Sequence, residues 1–252
     1  MGLLQPVFED SDGGRLRAVK LGSGPPLVLL HGWPETLQIW SALAPRLAAR
    51  HQVLAFDWPG LGFSQSWKGR ETPFHMAGRL LAILEAWGAL RPAVVALGAG
   101  VPPALVAAAK TPARIERLVL MNAPVFPAGE AAWKPPPLLG PCSPPGESVP
   151  PALEADFREA MANPAVRLYA RRVHAEYRDA APKVASLCVA IGCPTLVLWG
   201  GRDGCCGKGA GERLSAAIPD ARLRVLPEGG HWMAWHQAAA VADAILAFLP
   251  EG

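Results

Sequence analysis

Short, mostly apolar runs recur along the chain, and segments with helical spacing of apolar residues separate most of them. A run without alternating polar residues is typical of a strand covered on both faces, as in the interior of a parallel sheet. The predicted strands of this kind lie at 27–30, 53–56, 94–97, 117–121 and 194–200. Because strands and helices alternate, we predict an α/β fold with a mostly parallel twisted sheet flanked by helices.

The remaining elements follow from the spacing of polar and apolar residues. Residues 15–21 alternate between the two classes and lie between glycines, which predicts an early, half-exposed strand. Thr36 is a plausible N-cap for a helix at 37–50. Further helices are expected at about 73–87, 101–107, 209–217 and 235–249, with a last strand at 221–226.

The alternation breaks after residue 122. The first half of the following segment is too rich in proline for a regular helix, whereas residues 152–189 have helical spacing. An insertion behind a strand end is typical of a cap over a pocket, and a disordered linker is the alternative. We predict one core domain formed by 1–122 and 192–252, with a small cap at 123–191 inserted after the strand at 117–121.

Composition limits the classes of partner. The 252 residues fit one α/β domain better than two, and the 24 basic and 21 acidic residues form no basic block that would indicate nucleic-acid binding. No apolar run reaches the roughly 20 residues that a membrane span needs, and the amino terminus lacks the pattern of a signal peptide. We expect a cytoplasmic protein with a small-molecule substrate and without nucleic-acid or membrane partners; its oligomeric state is left open.

No metal or cofactor is predicted. The five cysteines have no zinc-type spacing, and we expect reduced thiols, although the adjacent Cys205 and Cys206 could form a strained disulfide. The chain has no P-loop. The glycines at 98–100 also lack the third glycine and the acidic partner of a dinucleotide-binding fingerprint.

Five motifs occur at predicted strand ends, and together they carry a resemblance. They are HGWPE at 31–35, DWPGLGFS at 57–64, the turn ALGAG at 96–100, WGGRD at 199–203 and EGGHW at 228–232. Their order resembles that of the α/β-hydrolase fold over nearly the whole chain outside the cap. The first two look most like the branch of epoxide hydrolases and of haloalkane and fluoroacetate dehalogenases.

The resemblance implies a catalytic pair formed by His231 and Asp203. His231 follows two glycines and should project from a loop at the carboxyl edge of the sheet, where crevices form in open α/β folds. Asp203 would accept a hydrogen bond from one ring nitrogen, fixing the tautomer and stabilising the imidazolium. The alternative for Asp203 is a carboxylate that only caps its turn.

Further site residues are also implied by the resemblance. The backbone N–H groups of Trp33 and Ala99 correspond to an oxyanion hole, and such a donor contributes about 3 kcal/mol in favourable cases. Cap tyrosines hydrogen-bond the epoxide oxygen in epoxide hydrolases, so the chain's two tyrosines, Tyr169 and Tyr177, are candidates for substrate binding. Packing is their alternative role. Trp58 and Trp232 are further candidates for contact with an apolar ligand.

The turn at 96–100 resembles the nucleophile elbow of the family, but Gly98 stands at the nucleophile position. A glycine supplies no attacking atom for a covalent intermediate. Three hypotheses remain. The pair of His231 and Asp203 could act as a general base in hydrolysis or hydration, cyclisation or a lyase-type reaction; the chain could be an inactive homologue that binds a ligand or partner; or it could be a nucleophile-deleted variant of an ordinary hydrolase.

Overall fold

One sheet organises the computed structural model, which describes residues 2–123, 125, 150–206 and 208–250. Its eight strands are β1 (Val7–Glu9), β2 (Leu16–Leu21), β3 (Pro26–Leu30), β4 (Gln52–Phe56), β5 (Ala93–Leu97), β6 (Arg117–Met121), β7 (Thr195–Gly200) and β8 (Ala221–Leu226). Their spatial order is β1-β2-β4-β3-β5-β6-β7-β8. β2 is antiparallel to both of its neighbours and the other pairs are parallel, which confirms the predicted fold class.

Helices cover both faces of the sheet. They are α1 (Ala44–Leu47), α2 (Pro73–Ala86), α3 (Val101–Lys110), α4 (Pro151–Ala162), α5 (Pro164–Leu187), α6 (Lys208–Ala217), α7 (Met233–His236) and α8 (Ala238–Phe248). Along β3, Val28 and Leu30 belong to the apolar core shared with α2, α3, α5 and α6. Leu27 and Leu29 belong to the opposite core, shared with α1, α4, α7 and α8. Burial on both faces explains why this strand is apolar throughout.

Two predicted helices are shorter than expected. Residues 37–50 form only a 3-10 turn at Leu37–Trp40 followed by α1, because Pro45 has no N–H with which to continue a helix from the preceding turn. The predicted cap is confirmed, since the Thr36 hydroxyl accepts a hydrogen bond from the Gln38 N–H at 3.2 Å. The closing helix is divided into α7 and α8, with Gln237 outside helical geometry between them.

The strand predicted at 15–21 is confirmed as β2, but the prediction that it is half-exposed is wrong. The first four residues of β2 are buried, since β2 lies between β1 and β4 and is not an edge strand. β1 was not predicted, because three residues are too few to show a period. Among the described residues, β8 is the strand with the most exposed side chains, and it lies at the opposite edge.

The segment between β6 and β7 contributes α4 and α5, so the helical spacing of residues 152–189 is confirmed. Its predicted proline-rich first half lies outside the described residues. Leu153 and Phe157 of α4 join the core on one face of the sheet, whereas Tyr169 and Val173 of α5 join the other. None of the described helices combines the length and the apolarity needed to cross a membrane.

Candidate active site

The turn between β5 and α3 is built around two glycines with different constraints. A Cβ on Gly100 would lie 2.7 Å from the carbonyl oxygens of Leu30 and His31, so only glycine lets the turn pack against the end of β3. Gly98 has φ +54°, a left-handed conformation that costs a residue with a side chain roughly 1 to 2 kcal/mol. Space is present above it, since a Cβ there would have no neighbour closer than 3.6 Å.

The imidazole of His231 faces this space. His231 lies on the loop after β8, and its Nε2 is 3.6 Å from the Cβ position of Gly98. Its Nδ1 lies 3.2 Å from both carboxylate oxygens of Asp203, on the loop after β7. Backbone N–H groups of Cys205 and Cys206 donate to Asp203 Oδ1 at 2.8 and 3.2 Å. The two predicted residues are therefore adjacent, with the second ring nitrogen turned toward the turn.

Burial and charge act in opposite directions on this pair. Burial alone would lower the pKa of His231, but the charge and hydrogen bond of Asp203 raise it well above the ordinary value of 6.5. Burial would raise the pKa of Asp203, yet the charge of His231 and the hydrogen bonds it accepts hold that pKa below 3.8. The arrangement thus stabilises the ion pair of carboxylate and imidazolium.

Asn122, immediately after β6, links the loop that carries His231 to the end of β7, which the Asp203 loop follows. Its Nδ2 donates to the carbonyl oxygens of Gly230 and His231 at 2.9 and 3.0 Å. Its Oδ1 accepts from the Gly200 N–H at 2.9 Å. Asn122 has φ +44° and is the one non-glycine residue with a positive φ in the described part of the chain. Sequence reasoning missed it; an asparagine directly after a buried strand was the available signal.

One of the two predicted N–H donors lies close to the turn after β3. The Ala99 N is 3.2 Å from the Cβ position of Gly32, and Ala99 belongs to the 3-10 turn Gly98–Gly100 that precedes α3. Trp33, the residue after Gly32, is half-buried. The neighbouring His31 is fully buried, donates from Nδ1 to Gly32 O at 2.7 Å and accepts from the Trp58 N–H at 3.0 Å.

Glu35 is a second residue that sequence reasoning left out. It is 2% exposed, and its Oε1 accepts a hydrogen bond from Trp232 Nε1 at 2.7 Å. Its Oε2 is buried without a hydrogen-bond partner among the described residues. A Cβ on Gly32 would lie 2.8 Å from this oxygen, so Gly32 allows the carboxylate to reach the turn. The signal was the acidic residue that ends the HGWPE motif.

Comparison with known proteins decides the family. A family model described as "alpha/beta hydrolase fold" matches residues 25–139. The dihydrolipoyllysine-residue acetyltransferase component of the acetoin cleaving system of Pseudomonas putida is 30% identical, over 94% of this chain and 67% of that protein. The chain belongs to the α/β-hydrolase fold family. The resemblance stated from the five motifs is confirmed.

Other members of the α/β-hydrolase family are similar over almost their full length. Haloalkane dehalogenase 2 of Mycobacterium bovis is 27% identical, over 94% of this chain and 92% of that protein. The crystal structure of a hydrolase from Pseudomonas aeruginosa PA01 superposes with a TM-score of 0.82 at 28% identity, covering 97% of this chain and 98% of that one. The proteins to which this chain is similar thus include hydrolase-type enzymes.

All four candidate substrate-binding residues in this α/β-hydrolase are buried, and three of them, Trp58, Tyr169 and Trp232, form side-chain hydrogen bonds within the fold. Trp58 Nε1 donates to the His31 carbonyl at 3.0 Å. The Tyr169 hydroxyl accepts from Arg79 Nη1 at 2.5 Å, and burial raises the pKa of Tyr169 to about 12. Tyr177 is buried beside Tyr169, and burial raises its pKa as well. The structure thus brings both tyrosines toward Arg79 of α2, and their role in binding stays a prediction.

The cysteines near the α/β-hydrolase site differ in state. Cys205 is disulfide-bonded, so the expectation of reduced thiols is wrong for this residue; no spacing rule identifies a pair that only the fold brings together. Cys206 is free, and the vicinal disulfide is therefore not formed. The Cys206 thiol donates to Asn122 O at 3.2 Å, and burial raises its pKa to about 11, which disfavours the nucleophilic thiolate.

One group of potential metal ligands occurs in the described part of the α/β-hydrolase chain. Asp203, Cys205 and His231 have ligand atoms within 4.8 Å of one another. The disulfide of Cys205 removes its sulfur from metal binding, since the thiolate is the ligand form. The two remaining residues already pair with each other, so this group does not fit a resident metal.

Proposed function

We propose that this α/β-hydrolase is an enzyme in which His231 and Asp203 act as a general base without a covalent enzyme intermediate. The observation that carries the proposal is the distance of 3.6 Å between His231 Nε2 and the Cβ position of Gly98. Nε2 is turned toward a space in which glycine places no atom. A hydroxyl group held there would be in reach of the base.

The chemistry begins with one proton transfer. His231 Nε2 takes the proton of a hydroxyl group, from water or from the substrate, and Asp203 stabilises the resulting imidazolium. The activated oxygen then attacks the substrate, closes a ring or expels a leaving group, and the His231 imidazolium returns the proton to the leaving group or to the product, which regenerates the neutral base. Hydrolysis or hydration, cyclisation and lyase-type cleavage all fit, because each needs a base and none needs an attacking side chain. The N–H groups of Trp33 and Ala99 would bind an oxygen of the substrate.

The substrate would be a small, largely apolar molecule covered by a cap at 123–191. Support comes from α4 and α5, which follow one another in the chain between β6 and β7 but pack on opposite faces of the sheet, so the chain passes from one face to the other within this segment. Trp232 and the half-buried Trp33 contribute apolar surface near the turn. Tyr169, Tyr177 and Trp58 stay candidates for contact with the ligand.

A turnover screen with matched histidine variants tests the proposal. The screen uses p-nitrophenyl esters, aryl epoxides, haloalkanes and β-hydroxyketones as probes. His231→Ala should abolish any activity found, whereas His75→Ala, at an exposed histidine in the first turn of α2, should retain it. Wild-type activity in His231→Ala would rule out His231 as the general base. Binding of probes without any product would favour the inactive homologue.

A further inference from the structure

One carboxylate oxygen of Glu35 is buried without a hydrogen-bond partner among the described residues. Glu35 Oε2 is buried, accepts no hydrogen bond within the described residues and takes part in none of their ion pairs. Buried carboxylate oxygens normally have partners, so an orphaned one at a site calls for a donor from outside the chain. The other oxygen accepts a hydrogen bond from Nε1 of Trp232, the residue that follows His231 in the chain.

Glu35 Oε2 and the Ala99 N lie close together beside Gly32. They are 2.8 and 3.2 Å from the Cβ position of Gly32 and are therefore at most 6.0 Å apart, and the Leu97 carbonyl oxygen is 3.1 Å from the same position. The Gly32 Cα is 3.7 Å from the Cβ position of Gly98. A single bound oxygen between Glu35 and Ala99 could therefore hydrogen-bond to both. A bound group that satisfies both must accept one hydrogen bond and donate another.

This requirement separates the chemical classes of ligand. A hydroxyl group can accept from the Ala99 N–H and donate to Glu35 at the same time. A carbonyl oxygen or an ether has no proton to donate, and an oxyanion would be repelled by the carboxylate. An ammonium group could donate to Glu35 but could not accept from Ala99.

We propose that the substrate of this site carries a hydroxyl group, and that Glu35 is the residue that selects it by accepting its hydrogen bond. The inference rests on the proposed function, because it places that hydroxyl at the edge of the space above Gly98. It also refines the role of Ala99, whose N–H would bind the hydroxyl oxygen beside Glu35. Glu35 is a specificity-determining residue in this view.

Three probes of equal skeleton test the selection: 4-phenyl-1-butanol, its methyl ether and 4-phenylbutyrate. Affinities are measured at pH 7.5 by ligand-detected NMR. The wild-type protein should bind the alcohol about tenfold more tightly than the ether, as expected for a hydrogen bond to a charged acceptor, and should exclude the anion. Equal binding of alcohol and ether would mean that only water occupies the position, and it would overturn the proposal, as would failure of the alcohol to bind.

Glu35→Gln tests the residue, because the amide keeps an acceptor for Trp232 while it removes the charge. The alcohol preference should fall below about threefold, and 4-phenylbutyrate should bind about tenfold more tightly than to the wild type. A merely structural role would not improve binding of the anion. Unchanged affinities for all three probes would show that Glu35 is not the residue that selects the hydroxyl group, and would overturn the proposal. Glu116→Gln is the control, because this half-buried glutamate lies just before β6, at the amino-terminal ends of the parallel strands. It should leave the affinities for all three probes unchanged.

The test separates this inference from the proposed function. His231→Asn should leave the alcohol preference intact, because Glu35 and Ala99 remain in place. Loss of turnover in that variant concerns the base alone, and loss of the preference in Glu35→Gln concerns the substrate class alone. The wild-type comparison of the three probes stands even if a variant fails to fold.

Discussion

His231 Nε2 lies 3.6 Å from the position that a Cβ on Gly98 would occupy. A hydroxyl oxygen attached to that Cβ would come within hydrogen-bond distance of the imidazole, so the turn has the geometry of a nucleophile and its base without the nucleophile. The left-handed φ of +54° fits the same geometry, because elbows that expose a catalytic side chain are strained. Glycine adopts this φ at no steric cost.

The first prediction concerns Gly98→Ser. The Cβ has room, but the positive φ should lower the free energy of unfolding by about 1 to 2 kcal/mol, measured by urea denaturation. The new hydroxyl should hydrogen-bond to His231 and attack p-nitrophenyl acetate. We expect a stoichiometric burst of p-nitrophenol, which the wild type lacks.

Gly98→Ala separates the two effects of that substitution. It should show the same loss of stability and no burst, because it introduces the strain without a nucleophile. A serine variant that is destabilised but shows no burst would mean that the side chain at 98 does not reach His231. Full turnover at the rate of an ordinary esterase would instead favour the nucleophile-deleted variant.

The second prediction concerns pH. Because Asp203 raises the pKa of His231 above 6.5, the imidazole C–H signals of His231 should titrate above 6.5 in NMR spectra, and in Asp203→Asn they should titrate at lower pH. Only the neutral imidazole accepts a proton, so turnover should rise as the pH increases through the native pKa. A titration of His231 at or below 6.5 in the wild type would contradict the geometry of the pair.

The same shift sets the sign of the stability profile. A group whose pKa is raised by folding stabilises the native state fully below its unfolded pKa, and that contribution is lost as the pH rises through the native value. The difference in free energy of unfolding between wild type and Asp203→Asn should therefore be larger at pH 6 than at pH 9.5. Because the pKa of Asp203 is lowered by folding, this group also stabilises the native state at pH values above 3.8, and that stabilisation is lost as the pH falls further.

The third prediction concerns Asn122, which links the loop of His231 to the end of β7. Asn122→Ala leaves one N–H and two carbonyl groups without their partner, at φ +44°, and should cost about 2 to 4 kcal/mol in urea denaturation. Asn122→Gly loses the same hydrogen bonds without the strain and should cost about 1 kcal/mol less. Both should move the pKa of His231 toward 6.5. A free energy of unfolding within about 0.5 kcal/mol of wild type in both variants would show that the hydrogen bonds of Asn122 do not stabilise the two loops.

The elements that are wholly apolar could be predicted from the sequence, whereas buried polar positions could not. β3, β5 and β6 lie within one residue of their predicted bounds, because burial on both faces leaves an uninterrupted run. The order of motifs indicated which strand ends would carry His231 and Asp203, and the two side chains meet there. Pro45 breaks the helix predicted at 37–50. The sequence-based prediction followed the helical spacing of the neighbouring apolar residues and gave too little weight to this proline.

Asn122 and Glu35 were missed for a different reason. The hydrogen bond from Gly200 to Asn122 spans 78 residues, and the bond from Trp232 to Glu35 spans 197. No local period encodes partners at such separations, because they are set by which loops the sheet order places side by side. Short motifs located the site, but the groups that arrange it required the tertiary structure.

The last prediction concerns how α4 is held to the core. Asp156 of α4 accepts hydrogen bonds from Arg17 of β2 at 2.6 and 3.3 Å, and the Thr36 hydroxyl also donates to it. Both members of the ion pair have side chains only 9% exposed. Asp156→Asn should lower the free energy of unfolding by about 2 kcal/mol and speed limited proteolysis within residues 150–190, because the buried Arg17 then keeps only Asp57 as a carboxylate partner.

Glu154→Gln is the matched control on the same helix: its ion pair with Arg158 is largely exposed, so its loss should cost less than about 0.5 kcal/mol. Equal cleavage rates in the two variants would mean that Asp156 does not anchor this helix.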